Sequence, residues 1–292
     1  MISPGGAPVP LLPFTPALEA QLRQWLDEDL GRGDLTAPAL LGHYGRAHWV
    51  SRSDGVFCGG VLVAPLLALL DPRASVRLLV ADGEPVVADQ RLLELEGQAA
   101  ALVAAERTAL NLAMRLSGIA TATAALVQVL AGTGVRLADT RKTTPGLRVL
   151  EKYAVRCGGG CNHRLGLDDA AMLKENHLAW AGGMAPAVAA VRASAPWPAR
   201  LIVEAETAAE AEAAVRAGAD AVLLDDFTPA ALAALVPRLR ALAPAVVLEA
   251  SGVRPEQLGA YAATGIDLIS TSAPVTRSPW LDLSMRFAAT LA

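Results

Sequence analysis

Cysteine is scarce in this 292-residue chain: Cys58, Cys157 and Cys161 are the whole complement. Three thiols cannot all pair and no secretory leader pattern is present, so the sequence predicts a reduced, cytoplasmic protein, not a disulfide scaffold. The C-x3-C spacing of Cys157 and Cys161 has no second cysteine pair to complete a zinc site. Both therefore read as small residues lining a tight turn. Charge is sparse as well, at 18% of residues against 53% hydrophobic, with a formal net charge of −4. That balance argues against nucleic acid as a partner. No apolar run reaches membrane-span length without a charge, a proline or a turn signal, so no membrane partner is expected. The first 16 residues hold five prolines and two glycines, which predicts a flexible tail over 1–15.

Against this background the stretch 139–177 stands out. Its 39 residues carry Arg141, Lys142, Arg148, Lys152, Arg156, His163, Arg164, Lys174 and His177. Helical spacing makes Arg148, Glu151 and Lys152 read as a solvated helix face. It does not account for Thr-Arg-Lys-Thr-Thr-Pro-Gly or Gly-Gly-Gly-Cys-Asn-His-Arg, which are turn sequences beside apolar segments. Glycine runs let backbone approach a ligand closely, so these turns predict an anion-binding site for a small, highly charged substrate.

The chain is long enough for one large domain or two modest ones. A helix is predicted over 16–30. Short apolar runs between 46 and 96 predict a small sheet with a helix over 61–70. Two helices follow, over 98–117 and 121–131, separated by Gly118-Ile-Ala. Beyond them, β-rich runs at 135–139, 171–176, 200–206, 221–226, 245–251 and 267–272 alternate with helices at 184–194, 207–217, 228–241 and 254–263. Near-continuous apolar strands alternating with helices imply a parallel sheet buried on both faces. The polar residues cluster at the strand ends: Asp139 to Lys142, Lys174, Glu204 and Glu206, Asp225 and Asp226, Glu249 with Ser251, and Ser270 to Ser272. Active sites of β/α barrels lie at the carboxyl ends of the strands. The fold class predicted is α/β, with an incomplete, about six-stranded β/α barrel; an open doubly wound sheet is the alternative.

Two chemistries fit the list. Arg141, His163, Arg164 and Lys174 are donors suited to carboxylates, Arg offering bidentate geometry. Glu204 and Asp225 suit Mg²⁺ or sugar hydroxyls. Ser251-Gly252-Val253 and Thr271-Ser272-Ala273 are small-residue turns of the kind that take up phosphate. Together these suggest transfer involving a phosphorylated sugar.

The chain resembles the quinolinate phosphoribosyltransferase family from about Trp25 to Phe287. The resemblance is carried by EDLGRGDLT (28–36), EGQAAALVAAERTALNLAMRLSGIAT (96–121), TRKTTPGLRVLEKYAVRCGGG (140–160), NHRLGLDDAAMLKENH (162–177), LLDDF (223–227), EASG (249–252) and LDLSMRF (281–287). It implies conversion of quinolinate and 5-phosphoribosyl-1-diphosphate to nicotinate mononucleotide, diphosphate and CO2 in de novo NAD biosynthesis, with Mg²⁺. It also implies that Arg141, His163, Arg164 and Lys174 bind the quinolinate carboxylates, that Thr140 is among the substrate-binding residues, and that Lys142 contacts the diphosphate-bearing substrate. Glu204 and Asp225 would take the ribose hydroxyls and metal, with Lys142, Glu204 and Asp225 catalytic. Backbone at 251–253 and 271–273 would hold the 5′-phosphate. Arg107 would reach the site of a neighbouring subunit, making the protein a homodimer or a larger assembly such as a hexamer. The family fold places an α/β sandwich domain at 16–118, rejoined by 276–292, ahead of a barrel domain at 119–275.

Two positions depart from the family pattern. Val253 stands where a second small residue is expected, and Ser272 where the phosphate turn often has glycine. The LLDDF run also resembles the acidic pair of the other phosphoribosyltransferase fold, but Thr228-Pro-Ala-Ala replaces its glycine-threonine loop. The alternative function is that of the molybdenum-locus paralogue of the same fold, with a different acceptor; the intact LEKYAVRCGGGCNHRLGLDD segment favours the quinolinate enzyme.

Overall fold

A computed structural model describes residues 10–287. The remainder of the expected tail, residues 1–9, and residues 288–292 of the C-terminal segment lie outside the described residues. In chain order the elements are α1 (Pro16–Leu30), β1 (Tyr44–Ser51), β2 (Gly55–Val56), α2 (Val63–Ala68), β3 (Ser75–Leu78), β4 (Pro85–Val86), β5 (Arg91–Gln98) and α3 (Ala99–Val129). They continue as β6 (Arg136–Ala138), α4 (Arg148–Cys157), β7 (Ala170–Leu173), α5 (Glu175–Trp180), α6 (Met184–Ser194), β8 (Arg200–Ala205) and α7 (Ala208–Arg216). The last are β9 (Ala221–Asp225), α8 (Pro229–Leu242), β10 (Val247–Ser251), α9 (Leu258–Ala262), β11 (Leu268–Ser270), α10 (Ala273–Arg277) and β12 (Leu283–Phe287).

Two compact units result. The first takes in residues up to Ala124, Thr144–Gly159 and the segment from Arg277; the second is Ala125–Thr143 with Gly160–Thr276. The segment with α4, kept with the barrel in the expected domain division, thus groups with the first unit.

The first unit is built on a four-stranded sheet in the order β12-β1-β5-β3, with antiparallel pairing throughout. Period-2 alternation sorts its two faces. Trp49 sits opposite Leu93 on one side and Met285 on the other, and all three are buried. Between them the strands present Arg46, His48, Arg77 and Glu94 along an open groove of about 580 Å³. Thr15 caps α1 by accepting from Leu18 N–H, with Pro16 at the first position where its missing N–H costs nothing.

The predicted break at Gly118 does not occur: α3 is one helix of 31 residues. Gly118 is there for close approach, since a Cβ would collide with the Pro279 carbonyl oxygen. By length and composition α3 could cross a membrane. Its Leu102, Leu110, Leu116 and Ile119 are core residues here.

A second correction concerns α4. Glu151 and Lys152 are not a solvated face; they are 0% and 1% exposed. Arg115 bonds Glu151 through Nε at 3.2 Å and Nη2 at 2.8 Å, and Thr144 adds its N–H at 2.8 Å and its hydroxyl at 2.9 Å. Helical periodicity locates a charged face but cannot say what covers it.

The second unit is a six-stranded parallel sheet in the order β6-β11-β10-β9-β8-β7. One face, carrying Leu137, Leu173, Leu201, Val203, Val222, Leu224, Leu248 and Ile269, packs against helix residues such as Val188, Val215, Leu235 and Leu258. The other buries only strand residues: Ile202, Ala221 and Leu223, with Met172 and Val247 against them. Among the described residues, α5 to α9 therefore cover one face and the strands curl around their own small apolar plug. This is an incomplete β/α barrel, not a doubly wound sheet.

Candidate active site

The plug fills the lower part of the curled sheet, and alternation then decides what stands above it. Two residues beyond Ile202, Leu223 and Val247 on the same face come Glu204, Asp225 and Glu249. Register puts Glu204 and Glu249 on either side of Leu223, and Ser251 beside Asp225 one level higher. The sheet thus changes from hydrocarbon to carboxylates within two residues along each of these three strands.

Cations converge on the same end. Lys174, the residue after β7, pairs through Nζ with Glu204 Oε2, and its own N–H donates to His177 Nδ1 at 3.1 Å. Arg164 donates from Nη1 to the Ala170 carbonyl at 3.1 Å. Burial pulls its guanidinium below the usual arginine range, and the charge of Arg141 pulls it the same way; Asp169 and Glu204 act in opposition. A guanidinium held close to a second cation is a candidate site for an anion. Arg141 and Lys142 are exposed, on a turn where Lys142 N–H donates to Thr140 Oγ1 at 3.0 Å.

His163 is placed differently from these donors. Its Nδ1 accepts the Arg164 N–H at 2.8 Å, and its Nε2 lies 3.2 Å from Glu249 Oε2. Asp139, buried at the end of β6, accepts His163 N–H at 2.8 Å and Asn162 Nδ2–H at 2.7 Å. The sequence reading set Asp139 and Glu249 among the strand-end polar residues but assigned neither a role.

Glu204, Glu206 and Asp225 bring carboxylate oxygens within 4.8 Å of one another. A trio of hard oxygen donors in this range fits Mg²⁺. Glu206 was omitted from the expected site residues although it stands at the same strand end. Glu204 and Glu206 also line a cavity of about 460 Å³ with Glu175, Leu178, Gly183 and Glu210.

Of the two expected phosphate turns, the first is tightly shaped. Gly252 has φ +75°, and a Cβ there would collide with the Asp226 carboxylate. Asp225 accepts from the Ser251 hydroxyl. Val253 sends its side chain into the hydrophobic core, which explains how a larger residue is tolerated there. In the second turn Ala273 N–H donates to Thr271 Oγ1 at 3.2 Å, and Ser272 accepts at its carbonyl from Val275 and Thr276 N–H.

Arg107 is an exposed residue of α3 in the first unit. The same unit holds Cys58, Asp82 and Cys157 with potential ligand atoms within 4.8 Å of one another. Asp82 is already committed there, accepting from Gly59 N–H, Gly60 N–H and the Tyr153 hydroxyl, each at 2.9 Å. Burial pushes the Cys58 thiol well up and raises the Asp82 carboxyl. The group pins a glycine turn and is not a second active site.

A curled parallel sheet with an anion-binding cation group and a carboxylate trio at its strand ends defines an α/β enzyme acting on small anionic substrates. Residues 34–117 match the N-terminal domain of quinolinate phosphoribosyl transferase and residues 119–286 its C-terminal domain. The chain belongs to the quinolinate phosphoribosyl transferase family. It is 45% identical over 282 residues to the probable carboxylating nicotinate-nucleotide pyrophosphorylase of Synechocystis sp., covering 96% of each chain. It is 40% identical over 274 residues to the carboxylating nicotinate-nucleotide pyrophosphorylase of Mycobacterium leprae, covering 90% of this chain and 95% of that one. The solved nicotinate-nucleotide pyrophosphorylase of Francisella tularensis superposes with a TM-score of 0.87 at 36% identity, covering 94% of this chain and 98% of that one.

Proposed function

We propose that this chain transfers the phosphoribosyl group of 5-phosphoribosyl-1-diphosphate to quinolinate with decarboxylation, giving nicotinate mononucleotide, diphosphate and CO2 for NAD biosynthesis. The observation that carries the reading is the grouping of Arg164 with Arg141 beside the Lys174–Glu204 pair, a cation surplus that Asp169 and Glu204 reduce but do not match in number. A dicarboxylate neutralises that excess, and a monocarboxylate such as nicotinate leaves part of it. The molybdenum-locus alternative is not favoured by relatives named for the quinolinate reaction across nearly the full chain.

In this reading Arg141, Arg164 and Lys174 grip the two carboxylates, with Thr140 shaping the turn that presents Arg141. Charge-assisted bonds of this kind contribute about 1.5–3 kcal/mol each, enough to bring two polyanions together. Glu204 and Asp225 hold the ribose hydroxyls, and Lys142 meets the diphosphate. The turns at Ser251, Gly252 and Val253 and at Thr271, Ser272 and Ala273 take the 5′-phosphate through backbone N–H groups. The pyridine nitrogen attacks C1′ while the C1′–O bond to diphosphate breaks. Glu204 and Asp225 offset the positive charge that develops on the sugar. When the adjacent carboxylate leaves as CO2, its electron pair stays on the ring carbon, where the neighbouring cationic nitrogen stabilises it, and that carbon then takes up a proton from solvent. Glu204, Glu206 and Asp225 are the residues that would hold Mg²⁺, which when bound offsets charge on the departing diphosphate.

We place the enzyme in the cytoplasm and assign it a homodimer as the smallest active assembly, Arg107 completing the neighbour's site. Arg107→Ala mixed with Arg141→Ala then regains activity through hybrid dimers; no recovery despite subunit exchange removes Arg107 from the chemistry. The reaction itself is tested by a coupled assay with Mg²⁺, 5-phosphoribosyl-1-diphosphate and either quinolinate or nicotinate. Nicotinate mononucleotide and CO2 from quinolinate alone are expected. Equal turnover of nicotinate overturns the dicarboxylate reading.

A further inference from the structure

Glu249 is a carboxylate in an expensive position. It is 2% exposed on the interior face of β10, two residues above Val247 in the apolar plug. Its Oε1 is buried with no hydrogen-bond partner. Nothing about strand pairing or packing asks for a carboxylate there, and a half-satisfied one is costlier than a methylene chain of the same length. Such a residue persists when something other than stability retains it.

Its Oε2 faces His163 Nε2 at 3.2 Å, and the rest of the ring shows where the contact leads. Because Nδ1 accepts the Arg164 N–H at 2.8 Å, the neutral imidazole carries its proton on Nε2, toward Glu249. Both ring nitrogens are engaged within the protein. The backbone on the other side of the turn is held by Asp139, which accepts from His163 N–H and from the Asn162 side chain. The turn 162–164 is therefore clamped at two points, and the residue leaving the clamp is Arg164.

We propose that Glu249 and His163 form a positioning pair: the buried carboxylate orients the imidazole, and the imidazole fixes the backbone of Arg164 so that its guanidinium meets a substrate carboxylate. His163 is then a support for a ligand and not itself a ligand, in contrast to its expected role among the quinolinate-binding donors. The inference rests on the quinolinate reading above.

The test uses Glu249→Met, which keeps the length and removes the acceptor, and Glu249→Gln, which keeps an acceptor oxygen. With the full-length enzyme, Glu249→Met should raise the KM for quinolinate about tenfold or more, the value of one misdirected charge-assisted bond. The KM for 5-phosphoribosyl-1-diphosphate should stay within about twofold, even where thermal stability falls because the buried His163 Nε2 loses its acceptor. Glu249→Gln should return the quinolinate KM to within about threefold of the parent, since an uncharged acceptor still orients the imidazole. Adding His163→Asn to Glu249→Met should cost little more than either change alone, because the two act as one unit. If Glu249→Met does not accumulate as folded protein, the smaller Glu249→Ala replaces it in the same comparison. Equal rises in both KM values, a fall in stability with both KM values unchanged, or fully additive effects overturn the pairing. Parent enzyme that turns over no quinolinate in the same assay would instead overturn the functional reading.

Discussion

Glu151 in the first unit and Glu204 in the second are both paired with a cation, yet the surroundings of the two pairs are opposite. Glu151 is sealed, with Arg115 and Thr144 supplying four donors to its two oxygens. Glu204 meets Lys174, whose side chain is 42% exposed, beside two more carboxylates at the open ends of the strands. The first arrangement leaves no bonding capacity for a ligand. The second keeps like charges crowded and partly hydrated, which is unfavourable until substrate or metal arrives. Satisfaction and burial together separate an ion pair that builds the molecule from one that works on something else.

The comparison breaks most readily at Glu151. Glu151→Ala strands the Arg115 guanidinium among groups that had been satisfied, and removing one partner of a buried pair costs about 3–5 kcal/mol. Denaturant unfolding should show that loss, with substrate KM values near the parent's in whatever protein remains folded. A loss under about 1 kcal/mol would put the Arg115 pair in the same class as a surface contact.

Arg164→Ala moves the other side of the contrast. Quinolinate affinity by calorimetry should fall by about 1.5–3 kcal/mol, and the phosphoribosyl substrate should bind as before. Equal loss of both ligands would mean that the cation shapes the barrel mouth generally. Lys174→Met should be milder, raising the quinolinate KM by about tenfold while shifting stability by no more than about 1 kcal/mol, because an ion pair this exposed contributes little to folding. An unchanged KM would return Lys174 to a purely structural pairing with Glu204.

Much of this contrast was legible in the amino-acid order. The six parallel strands were readable because each is a short apolar run, and the site because the polarity changes at the end of every run. The helix expected over 16–30 is α1 to the residue. Other features were hidden because they depend on contacts distant in sequence. Gly118 looks like a helix breaker until Pro279 is seen against it. Glu151 looks like half of a solvated stripe until Arg115 and Thr144 close over it. His163 reads as one more donor in its motif, and nothing there reveals that its ring also lies against Glu249, 86 positions away. Sequence periodicity reports what a residue's own element offers; the partner that consumes the offer comes from elsewhere in the chain.

The smallest expected effect supplies the baseline. Arg46 and Glu96 pair at 3.2 Å across β1 and β5, with side chains 64% and 39% exposed. By distance alone this contact resembles the Arg115–Glu151 pair, and counting ion pairs would weight the two alike. Solvent screening and the entropy of holding two long side chains should leave it worth about 0.5 kcal/mol or less. Arg46→Ala should therefore unfold within about 0.5 kcal/mol of the parent, and the residual difference should shrink as salt is raised. A loss approaching that of Glu151→Ala would show that distance, not burial and satisfaction, sets the value of an ion pair here, and the distinction drawn between sealed and open pairs would fail.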